Sequence, residues 1–233
     1  MPFDTILQSL SGGLVVSCQA PATSPLHNPV VIAAMAEAAV LRGAIGVRID
    51  TPAHIQAVRK KVKAPIIGLW KQVFPDSEVY ITPQFKHAQA IADAGADIIA
   101  IDATLRPRPA EEHLPQLISR IHQELGKPVM ADIDTLTTAL AAVEAGADLL
   151  GTTLYGYTKE TKMLKPPGFQ LLTDIVNGTS APCISEGGIA SPEAAYHALK
   201  LGAFAVVVGT AITGIDKLVE QYCCILCDKA VGG

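Results

Sequence analysis

Aromatic residues are scarce in this chain. One Trp, five Tyr and five Phe make up 5% of its 233 residues. A core must therefore come from Ala, Val, Ile and Leu, as in parallel strands buried on both faces by Ala-rich helices. Long basic runs are missing too. Arg59-Lys-Lys61 and Arg106-Pro-Arg108 are too short for a nucleic-acid footprint, and the net charge is −4, so no nucleic acid is expected as a partner. There is no charged segment backed by a signal-type apolar stretch, and no apolar run long enough to span a bilayer. A soluble cytoplasmic protein with no membrane partner is expected.

Metal and redox signals are equally thin. The five cysteines are Cys18, Cys183, Cys223, Cys224 and Cys227, an odd number that points to reduced thiols. Cys224-x-x-Cys227 could be half a zinc site or a redox pair. No second Cys or His pair lies near it and it falls on a late helix, so buried or half-buried helix thiols are expected. No two of the six histidines have a metal-ligand spacing. His54, His87, His122 and His197 fall on helices and are expected to be solvated or half-buried. There is no dinucleotide fingerprint, and no metal is expected.

What is present is a repeat. Gly43-Ala-Ile, Gly95-Ala-Asp, Gly146-Ala-Asp and Gly202-Ala-Phe each end an Ala-rich helix and open an apolar run, at intervals of 52, 51 and 56 residues. One βα unit takes about 25 residues when eight of them fill a barrel of this length, so each interval holds two. The eight strands fall at Gly13–Cys18, Ile45–Ile49, Pro65–Trp70, Asp97–Ile101, Pro128–Ile133, Leu149–Leu154, Pro182–Ser185 and Ala205–Val208. Asn28-Pro29, Thr51-Pro52, Thr82-Pro83 and Ser191-Pro192 pair a cap residue with proline, which marks helix starts. The pattern predicts an α/β fold, a single (β/α)8 TIM barrel over residues 1–233. An open doubly wound sheet is the runner-up.

In a TIM barrel the chemistry sits at the strands' C-terminal ends. Those ends carry Ser17-Cys-Gln19, Arg48 and Asp50, Lys71, Asp102 and Thr104, Asp132 and Asp134, Thr152, Thr153 and Tyr155, and Glu186. Asp134, just before Thr135, reads as a helix cap. Lys71 and Arg48 follow apolar strands, and a charge placed there needs a partner. Two glycine turns, Gly187-Gly188 and Gly209-Thr210, are each followed by helix-compatible sequence, so their N–H groups can converge on one anion. A phosphorylated small molecule anchored there would reach Lys71 and Glu186 with its far end. A lysine in low dielectric among cations sheds its proton more readily and can serve as a base. Proton abstraction α to a carbonyl, with Arg48 steadying the enolate, and Schiff-base aldol chemistry both fit this set. A phosphosugar-binding barrel without turnover is the non-enzymatic alternative.

Several stretches together resemble the N-acetylmannosamine-6-phosphate 2-epimerase family. They are Gly13-Leu-Val-Val-Ser-Cys-Gln19, Gly46-Val-Arg-Ile49, Ile67-Gly-Leu-Trp-Lys71, Thr104-Leu-Arg-Pro-Arg-Pro109, Met130-Ala-Asp-Ile133, Gly151-Thr-Thr-Leu-Tyr-Gly-Tyr-Thr158, Ser185-Glu-Gly187 and Gly209-Thr-Ala-Ile-Thr213. The resemblance runs from about Gly12 to Thr213. It implies inversion at C2 of an N-acyl hexosamine 6-phosphate, in the breakdown of sialic acid and amino sugars, with no cofactor. By the same resemblance Lys71 is the acid/base at C2 and Glu186 its partner on the sugar hydroxyls. Gln19, Arg48, Asp132 and Tyr155 bind substrate, and Gly187, Gly188, Gly209 and Thr210 hold the phosphate. Two positions depart from the family pattern. Many members carry a basic residue at Gly188, and an Arg at Gly214. Either the backbone N–H groups suffice, or Arg106 or Lys217 substitutes, or the substrate is shifted. The apolar tail Leu218–Cys227 is a candidate homodimer contact.

Overall fold

The structure is a computed structural model that describes the backbone of residues 3–230 and the side chains of residues 5–227. Residues 1–2 and 231–233 of the single-domain expectation lie outside the described residues. Eight parallel strands close a barrel in sequence order, with β1 (Leu14–Cys18) pairing both β2 (Gly46–Asp50) and β8 (Ala205–Val208). Between them lie β3 (Ile66–Leu69), β4 (Ile98–Asp102), β5 (Val129–Asp132), β6 (Leu149–Gly151) and β7 (Cys183–Glu186). Each strand buries both faces, which explains its apolar sequence. Alternate residues still divide the labour. Val15, Ile67, Leu69, Ile98, Ala100, Met130, Leu149, Ile184 and Val207 pack together in one cluster. Their neighbours Val16, Ile66, Ile99 and Val129 pack in another with helix residues such as Ile32, Ile55 and Ile91. A first helix, α1 (Phe3–Gln8), and Leu10 join the former cluster, an element the sequence pattern did not suggest.

The helices are α2 (Pro29–Leu41), α3 (Pro52–Arg59), α4 (Phe85–Asp93), α5 (Leu114–Arg120), α6 (Leu136–Glu144), α7 (Phe169–Gly178) and α8 (Pro192–Lys200), then α9 (Thr210–Thr213) and α10 (Ile215–Ala230). The four glycines of the repeat all have φ between +96° and +106°, a backbone that a side chain would strain. Asn28, Thr51 and Ser191 cap their helices through side-chain oxygens. Thr82 does not. Its Oγ accepts the Trp70 N–H instead, and α4 starts after Gln84. The sixth strand is also shorter than expected. It stops at Gly151 and tightens into a 3-10 turn over Thr152–Leu154, where Leu154 N–H donates to Ile133 and Thr152 bonds the Glu186 backbone.

Burial corrects two further expectations. His54 and His87 are buried, not solvated or half-buried. His54 Nδ1 lies 3.1 Å from the Asp50 carbonyl, and His87 packs edge-on to Trp70. Burial lowers His87 to about 4, so it stays neutral near pH 7. Cys223, Cys224 and Cys227, by contrast, are exposed, because α10 presents its length to solvent. Among the described residues no helix is long and apolar enough to cross a membrane.

Candidate active site

The strand register decides which polar groups share the barrel's C-terminal mouth. Arg48, Asp132 and Glu186 each lie two residues beyond a position in or against the barrel interior: Gly46 faces Leu10, while Met130 and Ile184 belong to the interior cluster. All three therefore point inward at the same end. Arg48 is 1% exposed and Asp132 0%. Their pairing is bidentate, with Nη1 3.1 Å from Oδ1 and Nη2 2.6 Å from Oδ2. The same Nη1 lies 2.9 Å from Glu186 Oε2, and Glu186 is 12% exposed. One guanidinium thus serves two carboxylates from the strands on either side of β6.

The electrostatics follow from burial. Burial pushes the Glu186 carboxyl up to about 7, Arg48 pulls it down and Asp132 pushes it up again. Burial opposes the charge of Arg48, but Asp132 and Glu186 outweigh that and raise its proton affinity. Thr153 Oγ lies 2.6 Å from Asp132 Oδ1 and 3.2 Å from Glu186 Oε2. The sequence put Thr153 at the mouth but gave it no partner. Counting alternation onward from Leu149 and Gly151 would have set it on the face of Glu186.

Lys71 follows β3 and is exposed. Its N–H donates to Asp50 Oδ1, and its Nζ donates to Gln19 Oε1 at 2.6 Å. Gln19 in turn donates to Ser17 Oγ. The ammonium is thus oriented by a neutral amide and is not set among cations in a dry pocket, as the sequence reading supposed. Lys71 nonetheless acts electrostatically on Glu186. Tyr80, from the loop after β3, also feels Asp132 and Arg48, and burial raises its phenol. Tyr155 is not drawn into this network. Its ring lies against Gly168, packed with the apolar cluster around α7.

The two glycine turns lie at the ends of β7 and β8. Gly187 and Gly188 have φ of +99° and +71°. Outside the strand ladders and helices, the N–H groups of Gly188, Gly209 and Thr210 have no backbone partner among the described residues. Both departures from the family pattern have a steric counterpart. A Cβ at Gly188 would stand 2.6 Å from Pro166 Cβ, and one at Gly214 2.7 Å from Thr210 Cα. The chain has filled with backbone and proline the space that side chains there would need. Arg106 does not substitute for them, since Asp102 and Thr104 hold it at the end of β4. Lys217 is exposed on α10. Asp134 is not a helix cap either. Thr135 caps α6, while Asp134 accepts from Thr138 and Thr158 and so ties down the loop after β6. Among the described residues, no group of three or more His, Cys, Asp or Glu could hold a metal ion.

Comparison with known proteins accords with this geometry. A family model described as "Putative N-acetylmannosamine-6-phosphate epimerase" matches residues 32–226. The chain belongs to the N-acetylmannosamine-6-phosphate epimerase family. A family relative from Thermosynechococcus vestitus is 66% identical over 213 residues, covering 91% of this chain and 92% of its own. Another, from Listeria monocytogenes, is 40% identical over 222 residues, covering 94% of each chain. The solved N-acetylmannosamine-6-phosphate 2-epimerase from Clostridium perfringens is 38% identical and superposes with a TM-score of 0.91, over 94% of this chain and 96% of that one. A thiamine phosphate pyrophosphorylase from Pyrococcus furiosus, 17% identical with a TM-score of 0.58, shares the fold alone; 93% of this chain and 98% of that one are covered.

Proposed function

We propose that this chain is an epimerase that interconverts N-acetylmannosamine 6-phosphate and N-acetylglucosamine 6-phosphate. The observation that carries the reading is a lysine and a carboxylate held at one barrel mouth, Lys71 by Gln19 and Glu186 by Arg48, in a member of this family. The 6-phosphate rests on the turns at Gly187-Gly188 and Gly209-Thr210, held by their N–H groups. Ionised Glu186 accepts the proton of the C1 hydroxyl as Lys71 gives its own to the departing ring oxygen, so the ring opens and an aldehyde forms at C1. The C2 proton is then α to a carbonyl. Lys71, left as a free amine by that transfer, takes it, leaving an enolate, and a proton returned to the other face of C2 gives the epimer. No atom is gained or lost. Asp132 keeps Arg48 in place, and Gln19 keeps Lys71 aimed. Tyr155 packs the loop after β6 against Gly168.

Purified protein and N-acetylmannosamine 6-phosphate, followed by NMR, test this directly. The expected result is a mixture of the two 2-epimers and nothing else. Carbon–carbon cleavage products, or a borohydride-trapped adduct on Lys71, would overturn it in favour of Schiff-base chemistry, and binding without turnover in favour of a sensor.

The same reading makes the chain a single barrel domain that acts in the cytoplasm as a homodimer. Ile215, Val219, Tyr222 and Leu226 are all more than half exposed, and their spacing sets them on one stripe of α10. A second copy would cover that stripe. Sedimentation should give a dimer, and Leu226→Glu should give a monomer; a monomeric parent protein would rule the contact out.

A further inference from the structure

We infer that Thr153 is a positioning residue for Glu186, holding the glutamate's carboxylate beside Asp132 and over the mouth while Thr152 fixes its backbone. Two successive hydroxyls grip the two ends of one residue. Thr152 Oγ accepts the Glu186 N–H at 3.0 Å and donates to the Glu186 carbonyl at 2.9 Å. Thr153 Oγ sits between two carboxylates, 2.6 Å from Asp132 Oδ1 and 3.2 Å from Glu186 Oε2. The 3-10 turn over Thr152–Leu154 makes both grips possible. Gly151 clears the ground for them. A Cβ there would stand 2.4 Å from Met130 Cε, 3.1 Å from Thr153 Oγ and 3.3 Å from Asp132 Oδ1, inside the space where threonine and aspartate meet.

A hydroxyl has one hydrogen to donate, and here two acceptors share it. That sharing sets the two carboxylates side by side and eases their repulsion. The charged groups facing Glu186 are Arg48 from β2, Asp132 from β5 and Lys71 after β3. On its other flank the register partner is Val207 of β8, which carries no charge. Of the groups that favour the ionised carboxylate, Arg48 and Lys71 act by charge, and Thr153 acts by a neutral hydrogen bond. Removing the hydroxyl leaves Arg48 as the direct partner of both acids, and Glu186 then takes up a proton more readily. The inference rests on the reading of Glu186 as the group that must be ionised to open the ring.

The test is the pH profile of kcat/KM for the parent enzyme, Thr153→Val and Thr153→Ser, with Thr104→Val as a control for loss of a buried threonine hydroxyl. Thr153→Val should move the acid limb up by about one pH unit. Its kcat at pH 7 should fall while KM stays within about twofold, since the change acts on the group and not on binding. Thr153→Ser should restore the limb, and Thr104→Val should leave it in place. Should Thr153→Val fail to fold, Thr153→Ala, which only removes atoms, reads the same shift. An unmoved limb in the Val or Ala variant, or no rescue by serine, would overturn the inference. Glu186→Gln separates the two levels. Near-normal turnover there would overturn the role of Glu186 and the inference built on it. Lost turnover with an unmoved limb in Thr153→Val would overturn the positioning role alone.

Discussion

Asp102 and Asp132 are register partners at the ends of β4 and β5, and neither has exposed surface. Each accepts from one arginine and one threonine hydroxyl. Asp132 has Arg48 and Thr153; Asp102 has Arg106 at 2.7 Å and Thr104 Oγ at 2.7 Å. The chemistry is the same, and the wiring differs. The Asp102 group closes within five residues of one loop, and both of its partners lie C-terminal to it. The Asp132 group draws its arginine from β2, 84 residues away, and its threonine from beyond β6. Because Arg48 and Thr153 come from other strands, both can also reach Glu186. A local Asp–Arg–Thr group fastens a loop. The same group spread across the barrel presents a second acid, Glu186, to the mouth.

Breaking the two groups in parallel should separate site from scaffold. The largest effect is expected for Glu186→Gln, with kcat lower by about 10²–10⁴-fold while the circular dichroism of the fold is retained. Next comes removal of the arginines. Arg48→Met leaves two acids buried without their cation and should cost about 3–5 kcal/mol in urea denaturation, together with activity. Arg106→Met should also lower stability, by less because Asp102 keeps Thr104, and should leave kcat unchanged. Equal loss of kcat in both would erase the distinction drawn here.

Smaller effects follow from titration and from a single hydroxyl. In the folded chain Glu186 holds its proton up to about 7, whereas an unfolded glutamate releases it near 4.5. Between those values the native state binds more protons than the unfolded one, so this residue makes stability fall as pH rises through that window and level off above it. Glu186→Gln should remove that slope, and kcat/KM of the parent enzyme should decline below a pH of about 7. The smallest change is expected for Thr104→Val, about 1–2 kcal/mol of stability with kcat intact.

Much of this was legible in the chain. Strand positions came from apolar runs between glycine-marked helix ends, and strand C-termini named Arg48, Lys71, Asp132 and Glu186 because a closed barrel converges them. What sequence did not carry was pairing. That Arg48 is consumed by two carboxylates depends on side chains from β2, β5 and β7 meeting inside the barrel. Thr82-Pro83 reads as a helix start, yet the Thr82 hydroxyl is taken by the Trp70 N–H, a contact across a loop that no local pattern encodes. His87 reads as a solvated or half-buried helix residue, yet it is buried, with Trp70 and Phe74 against it. Gly188 reads as a missing cation, and only the approach of Pro166 shows why a side chain has no room there.

The central claim is that a proton leaves and returns at C2 through Lys71, and the reaction run in D₂O tests it most directly. With N-acetylmannosamine 6-phosphate followed by ¹H NMR, the parent enzyme should yield product whose C2 proton signal is lost to deuterium. Lys71→Ala should neither exchange nor epimerise, with its melting temperature unchanged. Product that keeps protium at C2, or exchange in Lys71→Ala at the parent rate, would contradict the account.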